Sequence, residues 1–135
     1  MTARYMLDTN ICIYIQRQNP EKVLARFQKL KPGDAVISVI TWGELVFGAE
    51  KSKQRKKVMQ LLGEFTSFIP VLPILENAGN TYGAVRAALA SKGTPIGNND
   101  LWIAAHAKAA GLTLVTNNEK EFKRVPGLKI QNWAK

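Results

Sequence analysis

The chain has 135 residues, 46% of them apolar, and 19 Lys and Arg against 10 Asp and Glu give it a net charge of +9. That length supports one core and excludes two ordinary domains, so residues 1–135 are expected to form a single domain, and the basic surplus favours a polyanion such as nucleic acid as partner. The single Cys12 excludes an internal disulfide; with no long apolar run, and with Asp8 where a signal peptide needs apolar residues, no membrane is expected and the location expected is cytoplasmic.

Residues 4–7 predict a short first strand closed by Asp8, with Thr9 or Asn10 capping a helix that runs to about residue 18. Pro20 opens a second helix whose apolar face is Val23, Leu24, Phe27 and Leu30. After the turn Pro32-Gly33-Asp34, residues 35–40 form a β-branched apolar run, the pattern of a strand buried on both faces of a parallel sheet. Thr41-Trp42-Gly43-Glu44 has the spacing of a capping box and predicts a helix to about residue 50. Residues 51–57, KSKQRKK, carry five positive charges and open a helix continuing through Val58, Leu61, Leu62 and Phe65. Lys53, Arg55, Lys56 and Lys57 are either a solvated face or a surface that tracks phosphates. Residues 68–74 read as a third strand, set at an edge by Pro70 and Pro73. A helix over residues 75–91 follows, with Tyr82, Val85, Ala88 and Leu89 inward and Gly93 as its stop. Pro95, Gly97, Asn98 and Asn99 lead into Asp100, behind which Leu101, Ile103, Ala104, Ala105 and Ala107 recur at helical spacing. Gly111 ends that helix, residues 112–116 form a fourth strand, a polar junction covers residues 117–122, and residues 128–131 form a fifth, peripheral strand.

Each acid taken singly has an ordinary explanation, because Asp and Glu complement free N–H groups at helix N-termini. Three of them, Asp8, Glu44 and Asp100, fall at strand-to-helix junctions, and in a parallel α/β sheet such junctions share one edge. Carboxylates brought together raise one another's pKa and call for a cation between them. An all-oxygen donor set selects a hard ion, Mg²⁺ or Mn²⁺, and points to hydrolysis of a phosphodiester in nucleic acid. Other chemistries have less behind them. The one histidine, His106, lies in an Ala-rich helix and reads as structural, Cys12 has no third group to complete a nucleophile, and no phosphate-cradling glycine motif or zinc spacing is present. The rival reading is a non-catalytic RNA-binding or regulatory α/β module whose acids only cap helices. A receiver domain would need an acid pair after the first strand, which Leu7-Asp8-Thr9 lacks.

Four segments, MLDTNICIY (residues 6–14), SVITWGELVFGAEKS (38–52), PIGNNDLWIAAHA (95–107) and LVTNNEKEFKRVPGL (114–128), together resemble the PIN-domain ribonucleases that act as VapC toxins of bacterial toxin–antitoxin pairs. The resemblance spans essentially the whole chain. It implies a parallel sheet of four to five strands with helices on both faces, Mg²⁺-dependent endoribonuclease activity on a structured RNA such as a tRNA loop, a cognate VapB-like antitoxin, and a homodimer. By position, Asp8, Glu44 and Asp100 look like the family's acidic metal site, with Thr9, Asn10, Thr116 and Asn117 orienting the ligands. Many PIN domains carry a fourth acid where this chain has Asn118; Glu119 or Glu121 could supply the charge, and Glu121 is favoured because positions i and i+3 share one side of a helical turn. Lys120, Lys123 and Arg124, beside this junction, join the basic run as candidate RNA contacts.

Overall fold

A computed structural model describes residues 2–135. Its strands are β1 (Tyr5–Leu7), β2 (Ala35–Ser38), β3 (Val71–Leu72), β4 (Thr113–Val115) and β5 (Ile130–Gln131), all parallel in one sheet of order β3-β2-β1-β4-β5. Side chains alternate across the sheet as the two-residue period requires. Leu7, Ile37 and Val115 enter one core and Met6, Val36 and Leu114 the other. Over the first core lie α1 (Thr9–Arg17), α2 (Glu21–Gln28), α3 (Val39–Glu50) and α4 (Arg55–Phe68), through Ile11, Val23, Leu45 and Leu62. Over the second lie α5 (Glu76–Ser91), α6 (Asn98–Ala109) and the single turn α7 (Glu119–Phe122), through Leu89, Ile103 and Phe122. The expected architecture, a parallel sheet with helices on both faces, is therefore present. On the outer part of the α5–α6 pair, the Tyr82 and Trp102 rings stack at 3.9 Å between centroids with planes 16° apart.

Several boundaries differ from the sequence expectation. Asp8 itself caps α1, its Oδ1 accepting from Ile11 N at 3.0 Å, in place of Thr9 or Asn10. The second strand stops at Ser38, whose Oγ accepts from Ile40 N at 3.1 Å, so α3 begins two residues before Thr41 and the Thr41–Glu44 capping box does not form. The hydroxyl of Ser38, the last paired residue of the strand, captures the first free amide, which leaves Thr41 buried within the helix. Lys51 and Lys53 lie in a turn, and the helix of the basic run starts only at Arg55. The third strand shrinks to two residues at the edge, where Pro70 and Pro73 flank it. Among the described residues no helix is long and apolar enough to cross a membrane.

Candidate active site

Strand order reverses at β1, which lies between β2 and β4, and a crevice opens beyond the carboxyl ends of strands at such a point. Asp8 sits there because its N–H donates to Val115 O at 3.0 Å, extending the β1–β4 ladder one residue past the strand. Glu44 comes from the second turn of α3, Asp100 from the first turn of α6, and Glu121 from α7. Asp8, Thr9, Asn10, Glu44, Asp100, Asn118 and Phe122 line one cavity of about 130 Å³.

The hydrogen bonds sort the remaining candidates. Thr9 Oγ1 donates to Glu44 Oε1, and Asn99 Nδ2 donates to Glu44 Oε2 at 3.5 Å. Asn99 was missed by the sequence reading, although its place beside Asp100 in the first turn of α6 was the available signal. The Thr116 hydroxyl bonds Asp8 and also accepts from Asn118 N at 2.9 Å. Asn10 lines the cavity and bonds Asp8 through its backbone. Asn117 turns away: its amide donates to the Tyr14 hydroxyl at 3.1 Å and accepts from Asn132 at 3.1 Å, so it orients none of the acids. Glu119 is likewise diverted, held by Asn132 at 3.1 Å and Lys135 at 3.0 Å, which together keep its carboxyl below the usual range. Glu121 is the acid that faces the cluster, with Asn118 Nδ2 donating to its Oε2 at 3.3 Å.

The electrostatics are those of crowded anions. Burial raises the Asp8 carboxyl above its ordinary value and the Glu44 charge adds to this, against the bonds from Thr116 and Ile11. Asp100 is pushed up to about 7, by loss of water first, then by the Glu121 carboxyl within hydrogen-bond reach, then by Asp8 and Glu44. Two carboxyls in reach of one another bond only when one holds a proton. As anions both only accept, and Glu121 Oε1 is then a buried oxygen with no donor. A hard cation satisfies that oxygen and offsets the repulsion at Asp100 together, so the donor set fits Mg²⁺ or Mn²⁺. Among the described residues no three of these side chains close around a single point. Cys12 is fully buried with its thiol pushed well up, which removes it as a nucleophile.

Of the basic candidates, Lys53, Lys56 and Lys57 are exposed, whereas Arg55 is bound to Glu50 by two bonds of 2.7 and 2.8 Å. Lys120 and Lys123 are exposed on and just after α7, next to the acids, and Arg124 bonds Pro95 O at 3.0 Å across the loop that leads into α6.

Residues 5–128 match the PIN domain family model. The chain is 43% identical to the tRNA(fMet)-specific endonuclease VapC of Shigella flexneri, over 97% of this chain and 98% of that one. Among solved structures it is similar to DNA-bound VapBC of Salmonella typhimurium, with a TM-score of 0.91 and 42% identity over 98% of this chain and 99% of that one. It is also similar to VapBC2 of Rickettsia felis bound to a promoter DNA fragment, with a TM-score of 0.88 and 42% identity over 96% and 98% of the two chains. With a PIN-domain match over residues 5–128 and near full-length identity above 40%, and with acids from two helices and one strand end lining a single cavity, the chain belongs to the PIN-domain family, within its VapC branch.

Proposed function

We propose that this protein is the toxin of a type II toxin–antitoxin pair, one PIN domain over residues 1–135 that hydrolyses phosphodiester bonds in a structured RNA with Mg²⁺. The observation that carries the reading is the cluster of Asp8, Glu44, Asp100 and Glu121 in a chain of net charge +9, with Glu121 Oε1 buried and unpartnered and Asp100 pushed up to about 7. A bound divalent cation supplies Lewis-acid stabilisation of charge on the phosphodiester and lowers the pKa of water. Asp8 and Asp100 would hold it directly, Glu121 would add the fourth charge, and Glu44 would be a ligand or would orient a water. Thr9, Asn99 and Thr116 fix the rotamers of Glu44 and Asp8 by hydrogen bonds, as carboxylate ligands require. Asn118 brings an amide to the cavity wall and orients Glu121.

The curated relative from Shigella flexneri is named for tRNA(fMet), which makes initiator tRNA the first substrate to try. The VapBC complexes among the structural relatives support a VapB-like antitoxin as partner. A homodimer in the cytoplasm is the expected state. The rival, a non-catalytic RNA-binding module, is separated by chelation. Purified protein is expected to cleave tRNA in Mg²⁺ and to stop in excess EDTA; cleavage that persists in chelator rejects the metal reading, and binding without cleavage in Mg²⁺ favours the rival.

Salt tests the RNA surface. Replacing Lys53, Lys56 and Lys57 together by Gln should reduce the slope of log K against log salt by roughly 0.7 for each phosphate of a single strand that the protein ceases to neutralise. Adding Arg55→Gln should contribute less, since its guanidinium is already engaged by Glu50. A slope equal to wild type in the triple variant assigns the basic run to solvent and moves the RNA surface to Lys120, Lys123 and Arg124.

A further inference from the structure

His106 is 3% exposed, midway along α6, and its Nδ1 lies 2.8 Å from Ser38 Oγ. Ser38 Oγ accepts from Ile40 N, which leaves the hydroxyl proton for the imidazole nitrogen. The Pro73 carbonyl close to the ring is an acceptor only, so a neutral ring with the proton on Nε2 and Nδ1 accepting from the Ser38 hydroxyl suits both neighbours. Burial holds the imidazole below its ordinary pKa, in keeping with that neutral form.

Ser38 ends β2 and caps α3, the helix of Glu44, while His106 belongs to α6, the helix of Asp100. Both acids stand six residues from this bond, Glu44 after Ser38 and Asp100 before His106, about 9 Å along each axis. At that level the helices meet again through Asn99 and Glu44, at 3.5 Å and exposed. Two contacts thus run α3 and α6 antiparallel, and the buried, shorter one at the foot is the firmer. We propose that the Ser38–His106 hydrogen bond is a positioning element which sets the spacing between Glu44 and Asp100, and through it the capacity of the acid cluster to hold a divalent cation at the phosphodiester. Its consequence for cleavage rests on the nuclease reading; its geometry does not.

Four proteins test it: wild type, Ser38→Ala, His106→Leu and His106→Asn. Asn returns an acceptor near the place of Nδ1 but fills less of the buried site than the ring does, so it restores the bond to Ser38 without restoring stability. In His106→Leu and Ser38→Ala, kcat should fall by about tenfold or more with KM little changed, the loss typical when a ligand's support is removed, and Mn²⁺ binding without RNA should weaken. His106→Asn should recover kcat and Mn²⁺ binding while its Tm stays as low as that of His106→Leu. Nitroxide labels on cysteines introduced at the exposed Gly48 of α3 and Asn98 of α6, with Cys12 buried and unreactive, should report a changed distance in the Leu and Ala variants and the wild-type distance in Asn. If kcat follows Tm through all three variants, or the label distance is the same in all four proteins, the proposal is overturned. A wild type that cleaves no RNA removes the nuclease reading, and the label distance still decides the spacing.

Discussion

Asp8→Asn and Asp100→Asn should each reduce RNA cleavage by on the order of 10²- to 10³-fold, the rate equivalent of several kcal/mol of lost charge stabilisation, while both proteins stay folded. Asn matches the shape of Asp and is as good an N-cap, so in Asp8→Asn the amide oxygen would still accept from Ile11 N and α1 would keep its start. Asp34→Asn is the control: its carboxylate caps the turn by accepting from Lys31 N at 2.8 Å at the amino end of β2 and takes no part in the cluster. Stability should move the other way at Asp100. Because its folded pKa of about 7 stands above the unfolded 3.8, the folded state takes up a proton, and the stability linked to it is present below about pH 4 and lost as pH rises through 7. In EDTA the wild type should therefore lose Tm between pH 5 and 8 more steeply than Asp100→Asn, and Mg²⁺ should raise the wild-type Tm more at pH 8 than at pH 5. Thermal melts at both pH values read this directly; parallel wild-type and variant slopes would place the Asp100 carboxyl in water, outside a crowded cluster.

Glu121→Gln should raise the Mg²⁺ concentration for half-maximal cleavage by about tenfold or more, because Glu121 Oε1 is the buried oxygen without a donor and its charge adjoins Asp100. Glu119→Gln should leave the curve in place, its carboxylate being taken by Asn132 and Lys135. Asn118→Asp should gain little, since it exchanges the Nδ2 donor that orients Glu121 for a further negative charge beside it. Magnesium titrations of cleavage for the three variants separate these cases. A Glu121→Gln curve that overlays wild type would show that the fourth charge is not used.

The order of strands and helices was readable because each strand is a short apolar run, with Asp8 directly after one at Leu7-Asp8 and Asp100 after a run of turn residues that begins at Pro95. The start of α3 was not. Val39 and Ile40 are β-branched and extend the apolar run, and Thr41 with Glu44 has the spacing of a cap, so nothing local favours Ser38; a buried bond to His106, 68 positions away, helps to hold that residue where the strand ends. The choice between Glu119 and Glu121 was unreadable for the same kind of reason. They share one turn of helix, and what separates them is Asn132 and Lys135, whose arrival beside Glu119 depends on the path of β5. Asn117 follows suit, drawn off by Tyr14 and Asn132. Sequence spacing placed the acids on their elements, while partners distant in the chain decided which polar neighbours turn toward them.

The stacked Tyr82–Trp102 pair makes the unlabelled protein its own optical probe. Trp102 lies two residues beyond Asp100 and Trp42 two before Glu44, whereas Trp133, the third tryptophan, is buried edge-on against Tyr5 at 5.3 Å. Tyr82 also holds Asn98, at the first residue of α6, through its hydroxyl at 2.7 Å, so a shift of that turn alters the stack and the emission of the indole in it. Trp133 answers instead to loss of the core. Fluorescence titrated with a cation or with RNA should therefore follow occupancy of the acid cluster, and the same signal followed through urea should report unfolding, with Trp42→Phe, Trp102→Phe and Trp133→Phe separating the three sources.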